Sequence, residues 1–219
     1  MMHQTTSHTS TPTPKSHVLR SMAKYYDVLV ALLTLGRERK FRDQLAALVN
    51  LAPGETVLDV GCGTGSLALA AKRRVGERGA VTGVDPSSEM IDRARRKSAK
   101  GGLDVRFEVA GGESLPFSDK SFDVVLSTLM MHHLPRALRE RCALEMHRVL
   151  RLGGRVLVVD FEKPVKGGSI LSRLHRRGHV PLRDIVELLD RAGLRIVESG
   201  SVGMLDLKYV VANRSRDPE

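Results

Sequence analysis

A glycine-rich turn that joins an apolar strand to a helix is the feature that most constrains the fold of this 219-residue chain. Residues 57–60 read Val-Leu-Asp-Val, and Gly61, Gly63 and Gly65 follow at alternate positions before an amphipathic segment begins. Glycines at such a junction let the backbone turn tightly and approach a ligand closely. Asp85 comes 20 positions after Gly65, at the end of the next apolar strand, where a carboxylate can accept hydrogen bonds from ribose hydroxyls. The spacing therefore predicts a site for a nucleoside-containing cofactor.

Strands and helices alternate along the rest of the chain. Near-continuous apolar strands between amphipathic helices indicate a parallel sheet covered on both faces, so the predicted fold class is α/β with a single Rossmann-like domain. The predicted strands cover 57–60, 81–84, 105–109, 122–126 and 156–159, with closing strands at 195–198 and 205–211. The predicted helices cover 67–75, 87–99, 137–150 and 182–192, and a helical pattern from Val28 precedes the first strand.

Composition excludes some classes of protein and leaves others open. The chain has 35 Lys and Arg against 25 Asp and Glu, and this net charge of +10 favours nucleic acid, acidic membrane surfaces or anionic small molecules without choosing among them. The content of three Tyr, five Phe and no Trp argues against an aromatic platform for single strands. Cys62 and Cys142 form no Cys-x-x-Cys pair, which excludes a disulfide framework or a cysteine-rich zinc site.

The ends and the longest apolar stretches bear on domain organisation and compartment. Residues 1–16, rich in Thr, Ser, His and Pro, are predicted to form a disordered tail. Apolar stretches such as 28–35 are far shorter than the roughly 20 residues that cross a bilayer. We therefore predict a cytoplasmic protein that contacts membranes, if at all, from outside.

Further motifs follow the glycine turn in order. They are Tyr25-Tyr26-Asp27 before it, the turn itself, residues 83–90, Leu115-Pro116-Phe117, residues 122–125 and residues 148–154. In these motifs, across residues 25–212, the chain resembles the class I S-adenosylmethionine-dependent methyltransferases, within the branch of ubiquinone and menaquinone C-methyltransferases and many small-molecule enzymes. The resemblance implies a seven-stranded sheet with an antiparallel last strand. It also implies a methyltransferase domain over 17–219, with an N-terminal helical cap and a substrate-cover segment around 161–181.

The resemblance further implies S-adenosylmethionine as cofactor and S-adenosylhomocysteine as product. The glycines of the turn would lie under the methionine part of the cofactor, whose amino and carboxyl groups would face Asp59 and Ser127. Asp85 would bind the ribose hydroxyls. The implied cofactor-binding residues are Tyr26, Asp59, Gly61, Gly63, Gly65, Asp85, Pro86, Met90, Gly112, Glu113 and Ser127. For Met90 and Tyr26 a plain packing role is an open alternative.

One position departs from the family pattern. Family members commonly carry an acidic residue, followed by Ala, shortly before Leu-Pro-Phe, and this acid accepts a hydrogen bond from the adenine amino group. This chain has Gly111-Gly112 there. Loss of one charge-assisted hydrogen bond costs about 1.5–3 kcal/mol. Either Glu113 or a water would have to replace the missing acceptor.

Two groups of histidines are candidates for chemistry on the acceptor side. His132 and His133 follow the fourth predicted strand, where either one would be a general base or would only order the loop. His175 and His179 lie in an arginine-rich segment, but Gly178 and Pro181 disfavour the continuous helix that a metal pair would need. We therefore predict no metal, and the segment is either a basic lid over an acidic or amphipathic acceptor or a solvated loop.

These observations predict methyl transfer to a small organic acceptor, with quinone-like or phenolic acceptors first and O- or N-methylation of a secondary metabolite as the alternative. A non-catalytic cofactor-binding regulatory module is a further alternative. A nicotinamide oxidoreductase is disfavoured because the turn reads Gly-x-Gly-x-Gly, without the Gly-x-Gly-x-x-Gly spacing. A nucleic-acid methyltransferase is disfavoured because no Asn/Asp-Pro-Pro-aromatic segment follows the fourth strand. Peripheral membrane contact and homo-oligomerisation remain open.

Overall fold

The computed structural model of the protein describes residues 38–162, 179–203 and 206–216. The predicted tail, Tyr26 and the helical pattern from Val28 to residue 37 lie outside these ranges, as do His175 and most of the predicted substrate-cover segment. Within the described residues, no helix is both long and apolar enough to traverse a lipid bilayer.

Seven strands form one sheet in the order β3-β2-β1-β4-β5-β7-β6. The strands are β1 (Thr56–Val60), β2 (Ala80–Asp85), β3 (Arg106–Val109), β4 (Phe122–Thr128), β5 (Leu150–Phe161), β6 (Leu194–Ser201) and β7 (Leu207–Arg214). The helices are α1 (Glu38–Leu48), α2 (Ser66–Val75), α3 (Ser88–Lys100), α4 (Arg136–Val149) and α5 (Leu182–Arg191), with a 3₁₀ turn at Met131–His133. The predicted elements within the described residues are all present.

The strand directions agree with the predicted fold class. Strands β1 to β5 pair in parallel, whereas β7 runs antiparallel to both β5 and β6. Strand β5 is longer than the predicted 156–159 because its first residues pair irregularly with β4, around a bulge near Phe122. Gly153 there has a φ of 76°, a left-handed conformation that glycine adopts without strain.

Alternate residues of the central strands enter two separate cores, one on each face of the sheet. Val57 packs with Leu45 of α1 and Ile91 of α3, whereas its neighbour Leu58 packs on the other face with residues of α4 and α5. Helices on both faces cover a sheet that is buried on both sides, which explains the near-continuous apolar strands. The carboxyl ends of β1, β2 and β4 consequently meet at one edge, where the glycine turn lies.

Candidate active site

The glycine turn after β1 adopts backbone conformations that other residues rarely tolerate. Gly61, Gly63 and Gly65 have φ values of 74°, 53° and 78°. A Cβ on Gly61 would lie 2.4 Å from Cγ of Met130, and one on Gly65 would lie 2.7 Å from Cζ of Phe107. Backbone conformation therefore favours glycine at all three positions, and the space around Gly61 and Gly65 also requires it. The result is a close approach of backbone at the carboxyl end of β1, as a cofactor-binding turn requires.

Asp85, at the end of β2, is tied to this turn. One of its oxygens accepts a hydrogen bond from the Gly63 amide at 3.0 Å, and the other accepts one from the Ser87 amide at 2.9 Å. Burial raises the pKa of Asp85, and these two amides oppose the increase. Ser87 in turn caps α3 by accepting a hydrogen bond from the Met90 amide. The carboxylate therefore sits at the base of the turn and keeps lone pairs for further donors.

Two buried polar groups at the ends of β1 and β4 lack partners. Asp59 and Ser127 are each only 1% exposed, and neither carboxylate oxygen of Asp59 nor Oγ of Ser127 makes a hydrogen bond within the described part of the chain. Burial raises the pKa of Asp59 to about 7, while the positive charge of Arg42 and the nearby Ala68 amide, which lies outside hydrogen-bond geometry, oppose that increase. Buried polar groups without partners are costly. They fit a ligand that carries a cationic amino group and further polar atoms.

The loop after β3 is joined to Asp85 and approaches the end of β1. The Ala110 amide donates to the carbonyl of Asp85 at 3.2 Å. A Cβ on Gly111 would lie 2.6 Å from both carboxylate oxygens of Glu113. Glu113 therefore places its carboxylate where a side chain at position 111 would begin. The Glu113 carboxylate thus lies beside the position at which family members commonly carry an acidic residue and this chain has Gly111.

The same loop is held from α4 by side chains that sequence reasoning missed. Glu145 accepts a hydrogen bond from the Leu115 amide at 2.7 Å, and Arg148 donates to the carbonyls of Phe117 at 2.7 Å and Leu115 at 3.1 Å. Arg148 also pairs with Glu145 and Asp119. Their i and i+3 spacing on a helix was visible in the sequence, but their target, about 30 residues earlier, was not.

His132 and His133 differ in their surroundings. His132 Nδ1 lies 2.6 Å from Oδ1 of Asp160, and the His132 amide donates to Oδ2 of Asp160 at 3.0 Å. Asp160, near the end of β5, is fully buried. His133 is exposed, with its ring centroid 3.9 Å from that of His132. The sequence pointed to both histidines but not to Asp160, whose only signal was an acid inside the apolar run Val158-Val159-Asp160-Phe161.

Phe161 extends this group towards the segment before α5. Its ring meets His132 edge-on at a centroid distance of 5.7 Å, and it meets His179 edge-on at 6.5 Å. The Val180 amide donates to the carbonyl of Phe161 at 3.2 Å, which fixes the return of the chain beside β5. Among the described residues no cluster of three or more metal-ligating side chains occurs.

A small cavity opens beside the glycine turn. Its lining includes Cys62, Thr64, Arg42 and Thr128. Lys97 of α3 donates to the hydroxyl of Thr64 at 2.9 Å and to that of Ser66 at 3.0 Å, and so fixes this wall. A larger depression, with a cavity volume of about 130 Å³, lies between α4 and α5 among charged side chains and contains none of the predicted site residues.

Comparisons with known proteins identify a domain family and a fold that this chain matches. Residues 57–154, from β1 to the start of β5, match the methyltransferase domain family. A solved S-adenosylmethionine-dependent methyltransferase from Aquifex aeolicus superimposes with a TM-score of 0.70 at 23% identity, covering 88% of this chain and 97% of that one. The chain thus contains a methyltransferase domain over residues 57–154, with the fold of that solved S-adenosylmethionine-dependent methyltransferase.

Two curated methyltransferases are about one-third identical to this chain in sequence. The chain is 34% identical over 152 residues to the ubiquinone/menaquinone biosynthesis C-methyltransferase of Escherichia fergusonii, covering 68% of this chain and 60% of that protein. It is 35% identical over 150 residues to the demethylmenaquinone methyltransferase of Desulfitobacterium hafniense, covering 68% and 58%. The chain thus spans about 60% of the length of the curated relatives it matches.

Proposed function

We propose that this protein transfers the methyl group of S-adenosylmethionine to a quinone-like or phenolic small molecule. The observation that carries the acceptor class is the 34% identity over 152 residues to an enzyme named as a quinone C-methyltransferase. The site geometry supports the cofactor half of the proposal, because the Asp85 carboxylate and two unpartnered polar groups, Asp59 and Ser127, lie around one glycine turn.

The residues present fit the cofactor at its methionine end. Asp59 would face the cationic amino group, which would compensate for the burial of the carboxylate. Ser127 would donate to the methionine carboxylate, with Gly61, Gly63 and Gly65 beneath the chain of the ligand. This assignment explains why two buried polar groups at this edge have no partner within the described residues.

The nucleoside end follows from the direction of the sheet. Asp85 would accept from the ribose hydroxyls with the lone pairs that its two amide partners leave open. Pro86 and Met90 would then lie along the adenine, with Gly112 and Glu113 at its edge. The position of the Glu113 carboxylate over Gly111 favours Glu113, instead of water, as the acceptor that replaces the missing acid.

When bound, the sulfonium group supplies an electrophilic methyl group that needs no nucleophile from the protein. The contribution of this chain is to hold the acceptor in line with that methyl group and to exclude water, which is how positioning lowers a barrier. His132, Phe161 and His179 lie together beyond β4 and β5 and would form the acceptor wall.

Two measurements test the proposal. Calorimetry should show that the protein binds S-adenosylhomocysteine, that Asp85→Asn weakens binding at least about tenfold, and that Asp92→Asn, at an exposed acid of α3, leaves it unchanged. Transfer of labelled methyl should occur to a short-chain demethylmenaquinol in detergent and not to an aliphatic amine of similar size, which carries no phenolic hydroxyl. Absence of S-adenosylhomocysteine binding would contradict the cofactor assignment, and methylation of the amine alone would contradict the acceptor.

A further inference from the structure

We propose that His132 is the general base of the reaction and that buried Asp160 is the residue that positions it. This inference rests on the proposed function and narrows it, because a base is needed only for an acceptor that loses a proton as it is methylated. The acceptor would therefore carry an ionisable hydroxyl group, as a hydroquinone or phenol does.

Asp160 is fully buried, and its hydrogen bonds determine what it does to the imidazole. Its Oδ1 accepts from the Phe161 amide at 2.7 Å and faces His132 Nδ1 at 2.6 Å, while its Oδ2 accepts from the His132 amide at 3.0 Å. A carboxylate that already accepts two amide hydrogens stays an acceptor, so the hydrogen of neutral His132 is placed on Nδ1. The lone pair of Nε2 is then available to take a proton.

The turn that carries His132 is fixed next to the predicted cofactor site. Met130, two residues earlier, packs against Gly61, and Met131 is fully buried. Arg139 of α4 donates from Nε to the carbonyls of Met131 at 2.9 Å and Leu134 at 2.8 Å. The imidazole is therefore held on both sides, by β5 through Asp160 and by α4 through the turn. This fixed position is what a general base needs to reach the proton of an acceptor at hydrogen-bond distance.

The two adjacent histidines are not equivalent candidates. The side chain of His132 is only 10% exposed and contacts a buried carboxylate, whereas His133 is exposed and its ring lies beside that of His132. A partly buried imidazole with a fixed tautomer accepts a proton in a defined direction. We therefore assign the base to His132 alone.

The proposed step balances in protons and electrons. The hydroxyl proton of the acceptor passes to Nε2 of His132, and the electron pair left on oxygen delocalises into the ring. The ring carbon beside it forms the new bond to the methyl carbon as the sulfur–methyl bond breaks, and that electron pair remains on sulfur. The hydrogen on the methylated carbon then moves to the oxygen, which restores the aromatic hydroquinone. His132 releases its proton to solvent.

Nitrogen NMR of histidine-labelled protein tests the pairing without any acceptor. The His132 signals, identified by their loss in His132→Asn, should show the hydrogen on Nδ1 in the wild type. Asp160→Asn, in which the amide donates a hydrogen bond, should move the hydrogen to Nε2. A wild-type His132 with its hydrogen on Nε2 would overturn the proposal.

Kinetics with the short-chain demethylmenaquinol test the role in catalysis. General bases contribute about 10²–10⁴-fold to rates, so kcat should fall at least about 100-fold in His132→Asn and Asp160→Asn. The S-adenosylhomocysteine affinity should stay within about twofold. The loss of kcat towards low pH that is typical of a general base should be absent in His132→Asn. Asp184→Asn, at an exposed acid of α5, serves as the matched control.

The outcomes separate this inference from the function on which it rests. Unchanged rates in both variants, or rates that fall only in parallel with S-adenosylhomocysteine affinity, would overturn the assignment of His132 and Asp160. A wild type that binds S-adenosylhomocysteine but leaves the quinol unmethylated would overturn the proposed acceptor instead, and the tautomer measured by NMR would still decide the pairing.

Discussion

Two buried aspartates at the same edge of the sheet have opposite surroundings. Asp160 on β5 is fully buried and accepts hydrogen bonds from two amides beside its contact with His132. Asp59 on β1 is 1% exposed, and its oxygens accept no hydrogen bond from the described residues. A buried carboxylate without donors is costly, so the two residues serve different ends. Asp160 has its hydrogen-bond partners within the protein, whereas Asp59 is the residue that we propose to bind the amino group of the cofactor.

The difference extends to the two halves of the proposed site. The cofactor half, at β1 and β2, is made of backbone turns whose glycines allow a ligand to approach. The acceptor half, at β4 and β5, is made of side chains fixed by one another, with His132 and Asp160 paired across 28 positions in the chain. One half therefore depends on free space and the other on contacts already made.

The largest expected effect concerns free space at the glycine turn. Gly65 and Gly102 both have positive φ values, of 78° and 61°, but a Cβ on Gly65 would lie 2.7 Å from Phe107, whereas one on Gly102 meets nothing within 4 Å. Gly102→Ala should cost about 1–2 kcal/mol through backbone strain alone. Gly65→Ala should cost about 2–4 kcal/mol, since overpacking adds to the strain. Urea unfolding of both variants measures the difference, and equal losses would refute the packing argument.

The two aspartates should respond in opposite directions to the same substitution. Asp160→Asn should lower the free energy of unfolding by about 1–3 kcal/mol, because a hydrogen-bonded buried acceptor is lost. Asp59→Asn should raise the stability of the cofactor-free protein at pH 8, because the substitution removes a buried charge whose burial outweighs the attraction of Arg42. The same variant should weaken S-adenosylhomocysteine binding at least about tenfold. Destabilisation by both substitutions would show that Asp59 is satisfied within the protein.

The pH dependence of stability sharpens this contrast. The pKa of Asp59 is about 7 in the folded protein and 3.8 without burial, so between these values the folded protein retains a proton that the unfolded chain releases. The free energy of unfolding of the cofactor-free protein should therefore fall as pH rises from about 4 to about 7, by an amount on the order of a few kcal/mol. Denaturation of wild type and Asp59→Asn across this range should differ in slope. Parallel curves would contradict the raised pKa.

The comparison also shows which parts of the molecule a sequence reveals. The turn at Gly61, Gly63 and Gly65, and Asp85 after the next strand, could be predicted because local spacing in strand–turn–helix units fixes where such residues meet. The positions of the strands along the chain, apart from the exact start of β5, followed from apolar runs and their alternation with helices, whereas the antiparallel last strand was implied by the family resemblance. Local rules of chain geometry were sufficient for both.

Asp160 and the Glu145–Arg148 pair could not be predicted, because their partners are distant in sequence. The pairing of Asp160 with His132 arises only when β4 and β5 become neighbours in register, with Ser127 opposite Val158 and Thr128 opposite Val159. An acid within an apolar strand signals a buried polar contact, but it does not name the partner. Long-range side-chain contacts therefore require the folded structure.

The smallest expected effect concerns Glu113, the proposed replacement for the acidic residue that methyltransferases of this type commonly carry at the position of Gly111. If the Glu113 carboxylate accepts from the adenine amino group, the wild type should bind S-adenosylhomocysteine about tenfold more tightly than S-inosylhomocysteine, which presents an oxygen there. Glu113→Gln should reduce this preference severalfold, since an amide can donate to that oxygen. Gly111→Ala should weaken adenine binding too. The Cβ of this alanine would lie 2.6 Å from the carboxylate oxygens of Glu113 and would displace them. Calorimetry measures these affinities, with Glu77→Gln, at an exposed acid, as the control. The same preference in the wild type and all three variants would contradict the assignment of Glu113.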